Sequence, residues 1–382
     1  MLRTTLRSML PGLALLAIGA APLAAQRVET LELTEPDARF PEPFSSVIGF
    51  VELSDGQVLI TDRLEQTVAR LDFATGTVEP IGRPGGGPGE YQMPGWLFAL
   101  PGDTTLMMDL GNQRLAVILP EGRISSNTLP LRHPAGFPIF PRGVDAEGRI
   151  YFDLAGMMMP GLEEGAMLGV APILRWDRTS TALDTLGYIN FPPMEPAGPG
   201  EARISLGGGG GPYDGRDAWS VAPDGRVGIA RYTDYHVEWL SPEGELVTGP
   251  TIEFEPIPVT QDDKEAWAEQ MTSRGVMIQV ENGRRRTMRP PRPSTDNLDW
   301  PDTKPPFTGG AATATPDGGL WVARSRPADE DRRTYDVFDG RGQLIQRVEL
   351  MPDRRIIAFG DGVVYVTYTD EDDLEWLERY RI

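Results

Sequence analysis

Short apolar runs punctuate this chain at a nearly regular interval: residues 58–60, 106–108, 150–152, 227–230, 320–323 and 363–366. Runs of this length, rich in Val, Ile, Leu and aromatics, predict strands covered on both faces. Ahead of each stands a turn bearing a glycine: Gly56, Gly102, Gly148, Gly225, Gly318 and Gly362, with Asp directly before Gly56, Gly225, Gly318 and Gly362. The glycines are 46, 46, 77, 93 and 44 residues apart. Asp-Gly accepts the positive φ of a tight hairpin turn, so each turn joins two antiparallel strands. A second turn follows 20 residues later at Gly76 and Gly122 and 19 residues later at Gly244. Asp177 to Thr179 and Asp339-Gly340 take that place in the third and fifth units.

The unit is therefore strand a, turn, strand b, loop, strand c, turn, strand d. Such a four-stranded sheet cannot cover both faces alone, and radial stacking of neighbours solves this. The predicted fold is all-β: a six-bladed β-propeller of four-stranded antiparallel blades with one inserted helix. The last unit has three strands before the chain ends. The strand-like stretch Val28 to Thr34 is expected to supply its missing strand d and close the ring, removing an exposed edge.

Residues 85–91 read Gly-Gly-Gly-Pro-Gly-Glu-Tyr and precede Pro94; Asp109, Asn112, Arg114 and Leu115 follow, then Pro120 to Gly122. This order resembles the NHL-repeat group of six-bladed propellers among secreted bacterial proteins. The match is good in the first two units, and only the blade rhythm extends over residues 27–382. The resemblance implies a propeller and, by analogy, a binding platform; one fold hosts many activities.

The first 25 residues read as a signal peptide, with Arg3 and Arg7 before an apolar stretch from Leu13 to Ile18 and small residues up to Ala25. The apolar stretch is too short to span a bilayer. Residues 26–382 then form the propeller of a periplasmic or extracellular protein. The chain has no cysteine, so stability rests on the core, and a mature chain of about 357 residues can bury on the order of three quarters of its unfolded surface. The formal charge of −20 falls to −22 without Arg3 and Arg7. That field disfavours nucleic acid and anionic membranes as partners.

Strand polarity sorts the loops. The a–b and c–d turns share one face of the disc, and the b–c loops and d–a crossovers share the other. Every long insertion is of the second kind: 154–172, 190–217, 255–310 and the shorter 324–333. The loop-rich face is thus the expected functional face. The crossover at 255–310 carries the one convincing helix, starting at Thr260 with Asp263 in a capping-box position and with Trp267 and Met271 four apart. Arg284, Arg285, Arg286, Arg289 and Arg292 follow, in a proline-rich stretch through Trp300. Arginine binds carboxylates as a fork, which makes this run a candidate anion pocket.

The expected function is a non-enzymatic binding module for a protein, peptide or glycan. Tyr91, Trp96, Tyr213, Trp267, Arg284, Arg285, Arg286 and Trp300 are the contact candidates, because aromatics and Arg dominate binding hot spots. The alternative is a lactonase-like or esterase-like hydrolase with a divalent cation at the channel mouth. Asp62, Asp109 and Asp153 each follow a strand b and, with Asn112, offer the oxygen ligands that calcium takes. No other cofactor is indicated. The chain has two histidines, His133 and His236, 103 residues apart, so a histidine-rich zinc site is not expected. The glycine run at 82–89 lacks the Gly-Lys-Ser/Thr of a phosphate loop and reads as a blade linker.

Overall fold

The computed structural model describes residues 28–134, 136–158, 163–180, 182–194, 203–204, 211–274, 277–281, 284–288, 290–296 and 298–382; of 158, 163, 203–204, 273–274, 277–281 and 284–288 it describes the backbone alone. The signal-like segment and residues 207–210 of the five-glycine run lie outside these residues. Six sheets follow one another along the chain. Blade 1 runs Val47–Glu52, Val58–Asp62, Thr67–Asp72, Thr77–Pro80. Blade 2 runs Pro94–Leu100, Thr104–Asp109, Arg114–Ile118, Ile124–Pro130. Blade 3 is Gly143–Val144, Ile150–Asp153, Val170–Trp176 and Leu183–Asn190. Blade 4 is Ala218–Val221, Val227–Arg231, His236–Leu240 and Leu246–Thr248. Blade 5 is Ala312–Ala314, Leu320–Ala323, Thr334–Phe338 and Leu344–Leu350. Blade 6 has Arg354–Gly360, Val363–Thr369 and Glu375–Arg381. Within each blade the strands pair antiparallel in chain order, and the first strands touch from blade 1 to blade 5 in turn and from blade 6 back to blade 1.

All six turn glycines have φ between 64° and 86°, where a β-carbon would be strained. In blades 1, 2, 3 and 6 the strands that follow them are the most buried of the blade. Val58, Leu59 and Ile60 are buried, as are Leu106 to Met108, Ile150 to Phe152 and Val364 to Val366. The core lies between blades rather than within them: Tyr151 of blade 3 packs with Trp219, Val227 and Ile229 of blade 4, and Tyr365 of blade 6 with Phe50 and Ile60 of blade 1.

Ring closure differs from expectation in its residues. Glu29–Leu33 pairs parallel with Leu344–Leu350 as a fifth, outer strand of blade 5. The fourth strand of blade 6 is the short Ala38–Arg39, antiparallel to Glu375–Arg381, extended by the Phe44–Glu375 bridge. The apolar pattern of residues 28–34 suited an outer strand but did not say which blade it would reach. In the fifth unit the second tight turn runs from Asp339 through Gly340 to Gly342, which takes the positive φ of 73°.

Among the described residues two helices lie in insertions: α1 (Glu163–Leu168) and α2 (Gln261–Arg274). Thr260 caps α2 as expected. Asp263 Oδ2 accepts hydrogen bonds from Thr260 N (2.8 Å) and Oγ1 (2.9 Å), and Asp263 N donates to Thr260 Oγ1.

Candidate functional site

The loop-rich face carries two large, adjoining cavities. The first, of about 410 Å³, lies above blades 3 and 4 and beneath α2. Its apolar wall is Phe191, Trp219, Tyr213 and Trp267; its polar groups include Arg142, Arg216, Asp214 and Gln270. The second, of about 420 Å³, lies over blades 5 and 6. Tyr213, Gln270 and residues 308–310 line both, so the two are neighbours across a shared wall. A smaller cavity of about 220 Å³ continues from the second through Arg326, Arg333 and Arg355. Much of these linings comes from the crossovers at 190–217 and 255–310 and the 324–333 loop, insertions assigned to this face from the sequence.

Helix α2 is anchored to the disc by a buried ion pair. Lys304 Nζ lies 2.5 Å from Asp263 Oδ1 and 2.5 Å from the Arg326 carbonyl. Both side chains are nearly fully covered. Burial pushes the Asp263 carboxyl up, but the bonds from Lys304 and Thr260 outweigh it and hold the group below its ordinary value. Tyr213 donates its hydroxyl to the Asp263 carbonyl at 3.0 Å, and Lys304 lies 4.8 Å from the centre of its ring. Burial and the neighbouring Asp263 push the Tyr213 phenol up to about 12, so it is an O–H donor at neutral pH. Trp300 is edge-on to Trp267 at 5.5 Å and tilted against Tyr213 at 5.9 Å, which makes it a buttress behind the cavity wall. Gly309 lets the crossover pass over Arg216, since a β-carbon there would overlap that side chain.

The contact candidates therefore separate. Tyr213 and Trp267 line the cleft, and Trp300 supports them from behind. Tyr91 does not belong: it is buried, and its hydroxyl accepts from Val68 N. Trp96 is 48% exposed on the first strand of blade 2 and lines neither cavity. Arg284, Arg285 and Arg286 lie on the hairpin strand Arg284–Met288, opposite Met277–Glu281, and their side chains are outside the description.

The metal candidates do not form a site. Asp62 accepts from four backbone N–H groups, of Ser45, Ser46, Leu64 and Glu65. Asp109 accepts from Gln92 N, Asn112 Nδ2 and Arg114 Nε, and Asn112 also donates to the Gly85 carbonyl. Asp153 accepts from Ala155 N and Trp219 Nε1, with Arg142 at 3.3 Å. Their oxygens clip the end of strand b to the chain entering the blade or to a neighbouring blade, which leaves little donor capacity for calcium. Among the described residues no three His, Cys, Asp or Glu side chains are grouped to hold a metal ion. His133 stacks on Phe137 at 4.8 Å, and His236 Nε2 lies 3.3 Å from Glu238. The 82–89 linker bonds to itself, Gly85 N to the Tyr91 carbonyl and Gly87 N to Glu90.

Sequence reasoning missed the basic side chains of the second cavity, above all Arg326 and Arg333. The 324–333 loop also contains Asp329, Glu330 and Asp331, so its charges nearly cancel in the sequence and separate only when it folds.

No family model matches the chain, and no characterised protein matches it in sequence. Solved structures similar in shape include a calcium-binding protein, regucalcin, from Agrobacterium tumefaciens, at 13% identity and TM-score 0.43, covering 92% of this chain and 95% of that one. A member of the DUF4221 family from Bacteroides vulgatus has 9% identity and TM-score 0.49, covering 91% and 95%. Virginiamycin B lyase from Staphylococcus aureus has 12% identity and TM-score 0.41, covering 91% and 99%. Likenesses this distant say nothing of the ligand or the chemistry of this chain. With no family model matching, the NHL-repeat likeness stays a matter of blade rhythm and linker sequence in the first two blades.

Proposed function

We propose that this protein is an exported propeller binding module that holds a polar ligand, a segment of glycan or peptide, in the cleft on its loop-rich face. The observation that carries this reading is the pair of adjoining cavities of about 410 and 420 Å³, walled by aromatics and furnished with a few polar groups. Concave sites with that mixture are where small ligands and chain segments are held. Support also comes from the anchoring of α2, because the Asp263–Lys304 pair fixes the helix that carries Trp267 to the first cavity and Gln270 to the shared wall. Export rests on the signal-like pattern of the first 25 residues.

The test is a calorimetric screen of the mature chain against neutral oligosaccharides and short peptides, repeated on Trp267→Ala and Gln270→Ala. A binder weakened at least tenfold by both, and unaffected by Arg123→Gln beside the Gly122 turn, is expected. Binders indifferent to both cleft variants would overturn the reading. Millimolar calcium or EDTA is expected to leave affinity and melting temperature unchanged; calcium-dependent opening of lactones by the same protein would replace the binding module with the hydrolase.

A further inference from the structure

The second cavity has an unusual charge pattern for this chain. Its charged lining residues are Lys304, Arg324, Arg326, Arg333 and Arg355, and among the described residues no carboxylate lines it. The whole sequence has 56 acidic against 36 basic residues. Three of these cations are neutralised nearby: Lys304 by Asp263, Arg324 by Asp336 at 3.4 Å and Arg355 by Glu375 at 2.9 Å. Among the described residues neither Arg326 nor Arg333 has an ion pair. Asp331, Asp353, Asp373 and Glu375 line the adjoining smaller cavity, which Arg326, Arg333 and Arg355 also reach.

Two buried polar atoms at this wall, Arg326 Nη1 and Ser325 Oγ, have no hydrogen-bond partner among the described residues. A buried donor without a partner is costly, more so on a charged group. Burial holds Arg333 below the usual guanidinium range, and repulsion from Arg326 and Arg355 adds to it against the weaker attraction of Asp353. The same lining has an apolar part, with Trp321 edge-on to Phe359 at 5.0 Å. Both features are resolved by one kind of guest: a short carbon skeleton lying on Trp321 and Phe359, with oxyanions turned toward the guanidiniums. The planar fork of Arg matches a carboxylate with two parallel bonds.

We propose that this cavity is a seat for a compact ligand bearing two or more carboxylates, gripped by Arg326 and Arg333, with the Ser325 hydroxyl as a further donor. The assignment rests on the reading of the loop-rich face as the binding face. It makes the ligand, or the part of it that reaches blades 5 and 6, acidic.

The test is titration calorimetry of the mature chain at low ionic strength with citrate, with inorganic phosphate and with glycerol as the uncharged comparison. Citrate is expected to bind one per chain, with glycerol silent and phosphate weaker. Arg326→Gln and Arg333→Gln should each weaken citrate at least tenfold, and Arg333→Lys should weaken it less than Arg333→Gln. Arg123→Gln, which removes the same charge on the other face, should leave it unchanged. The ligand-free melting temperature of Arg333→Gln should hold or rise, because the change relieves repulsion; a large fall together with lost binding would make Arg333 a structural group and overturn its role. Equal citrate affinity across all variants would overturn the seat. Phosphate bound more tightly than citrate, with the same arginine dependence, would overturn the carboxylate assignment. Trp267→Ala separates the two proposals. Citrate binding should survive it, and a screen binder lost in Trp267→Ala while citrate fails outright would sink this inference alone.

Discussion

At the scale of single residues, the carboxylates here are mostly architectural. Asp62, Asp109 and Asp153 could be located in sequence as residues ending a strand b, and that placement is correct. What the sequence could not reveal is that N–H groups from the chain entering the blade, or side chains from the next one, would already occupy their oxygens. Tyr91 was open to the same misreading, since an aromatic beside a glycine run looks the same whether it faces solvent or the core. Asp263 is the residue on which the cleft depends most. Asp263→Ala strands Lys304 without its counter-ion, and breaking such a buried pair costs about 3–5 kcal/mol. A fall in melting temperature is expected, with most of it recovered in the Asp263→Leu, Lys304→Met double variant. The folded Asp263 carboxyl lies below its unfolded value of 3.8. Its contribution is therefore present above about pH 4 and is lost as pH falls through the lower folded value. Acid titration of the melting temperature should show a steeper loss below pH 4 for wild type than for the double variant, and parallel curves would contradict this role.

At the scale of elements, the blade rhythm was readable because the hairpin turn and the doubly covered strand b are local necessities. Each demands glycine or a run of apolar residues wherever it occurs. Ring closure is not local: the hydrogen-bond partner of an N-terminal strand lies over 300 residues away, so Glu29–Leu33 and Ala38–Arg39 could not be told apart by pattern. The closure involves more than the short strand. Phe40 is fully buried with Tyr365 and Leu377, its N–H bonds to the Leu377 carbonyl, and Val47 N donates to Glu375 Oε2 at 2.7 Å. Tyr365 donates to Glu52 at 2.8 Å, joining blade 6 to blade 1 again. Phe40→Ala should cost about 3–5 kcal/mol, measured by denaturant unfolding. Deleting residues 28–34, an outer strand with four of its five strand residues exposed, should cost much less. A larger loss from the deletion than from Phe40→Ala would contradict this assignment of the closure.

At the scale of the whole molecule, the two faces of the disc differ in kind. One is a ring of tight turns; the other carries the insertions, the anchored helix and the adjoining cavities. The polarity of the strands made that division legible before any coordinates. The chemistry of the cleft was not legible, because it is assembled from residues more than 100 positions apart, such as Tyr213 and Phe359. A strongly acidic protein with a basic recess steers small anions by local field rather than net charge, so capture should weaken as salt rises. The most direct test of the loop-rich face as the binding face is amide hydrogen exchange of the mature chain with and without the tightest binder from the screen. Protection is expected in peptides covering 211–219, 263–271, 304–311 or 321–335, with none at the turns around Gly56, Gly102, Gly225 and Gly318. Protection centred on those turns instead, with the insertions unchanged, would contradict it.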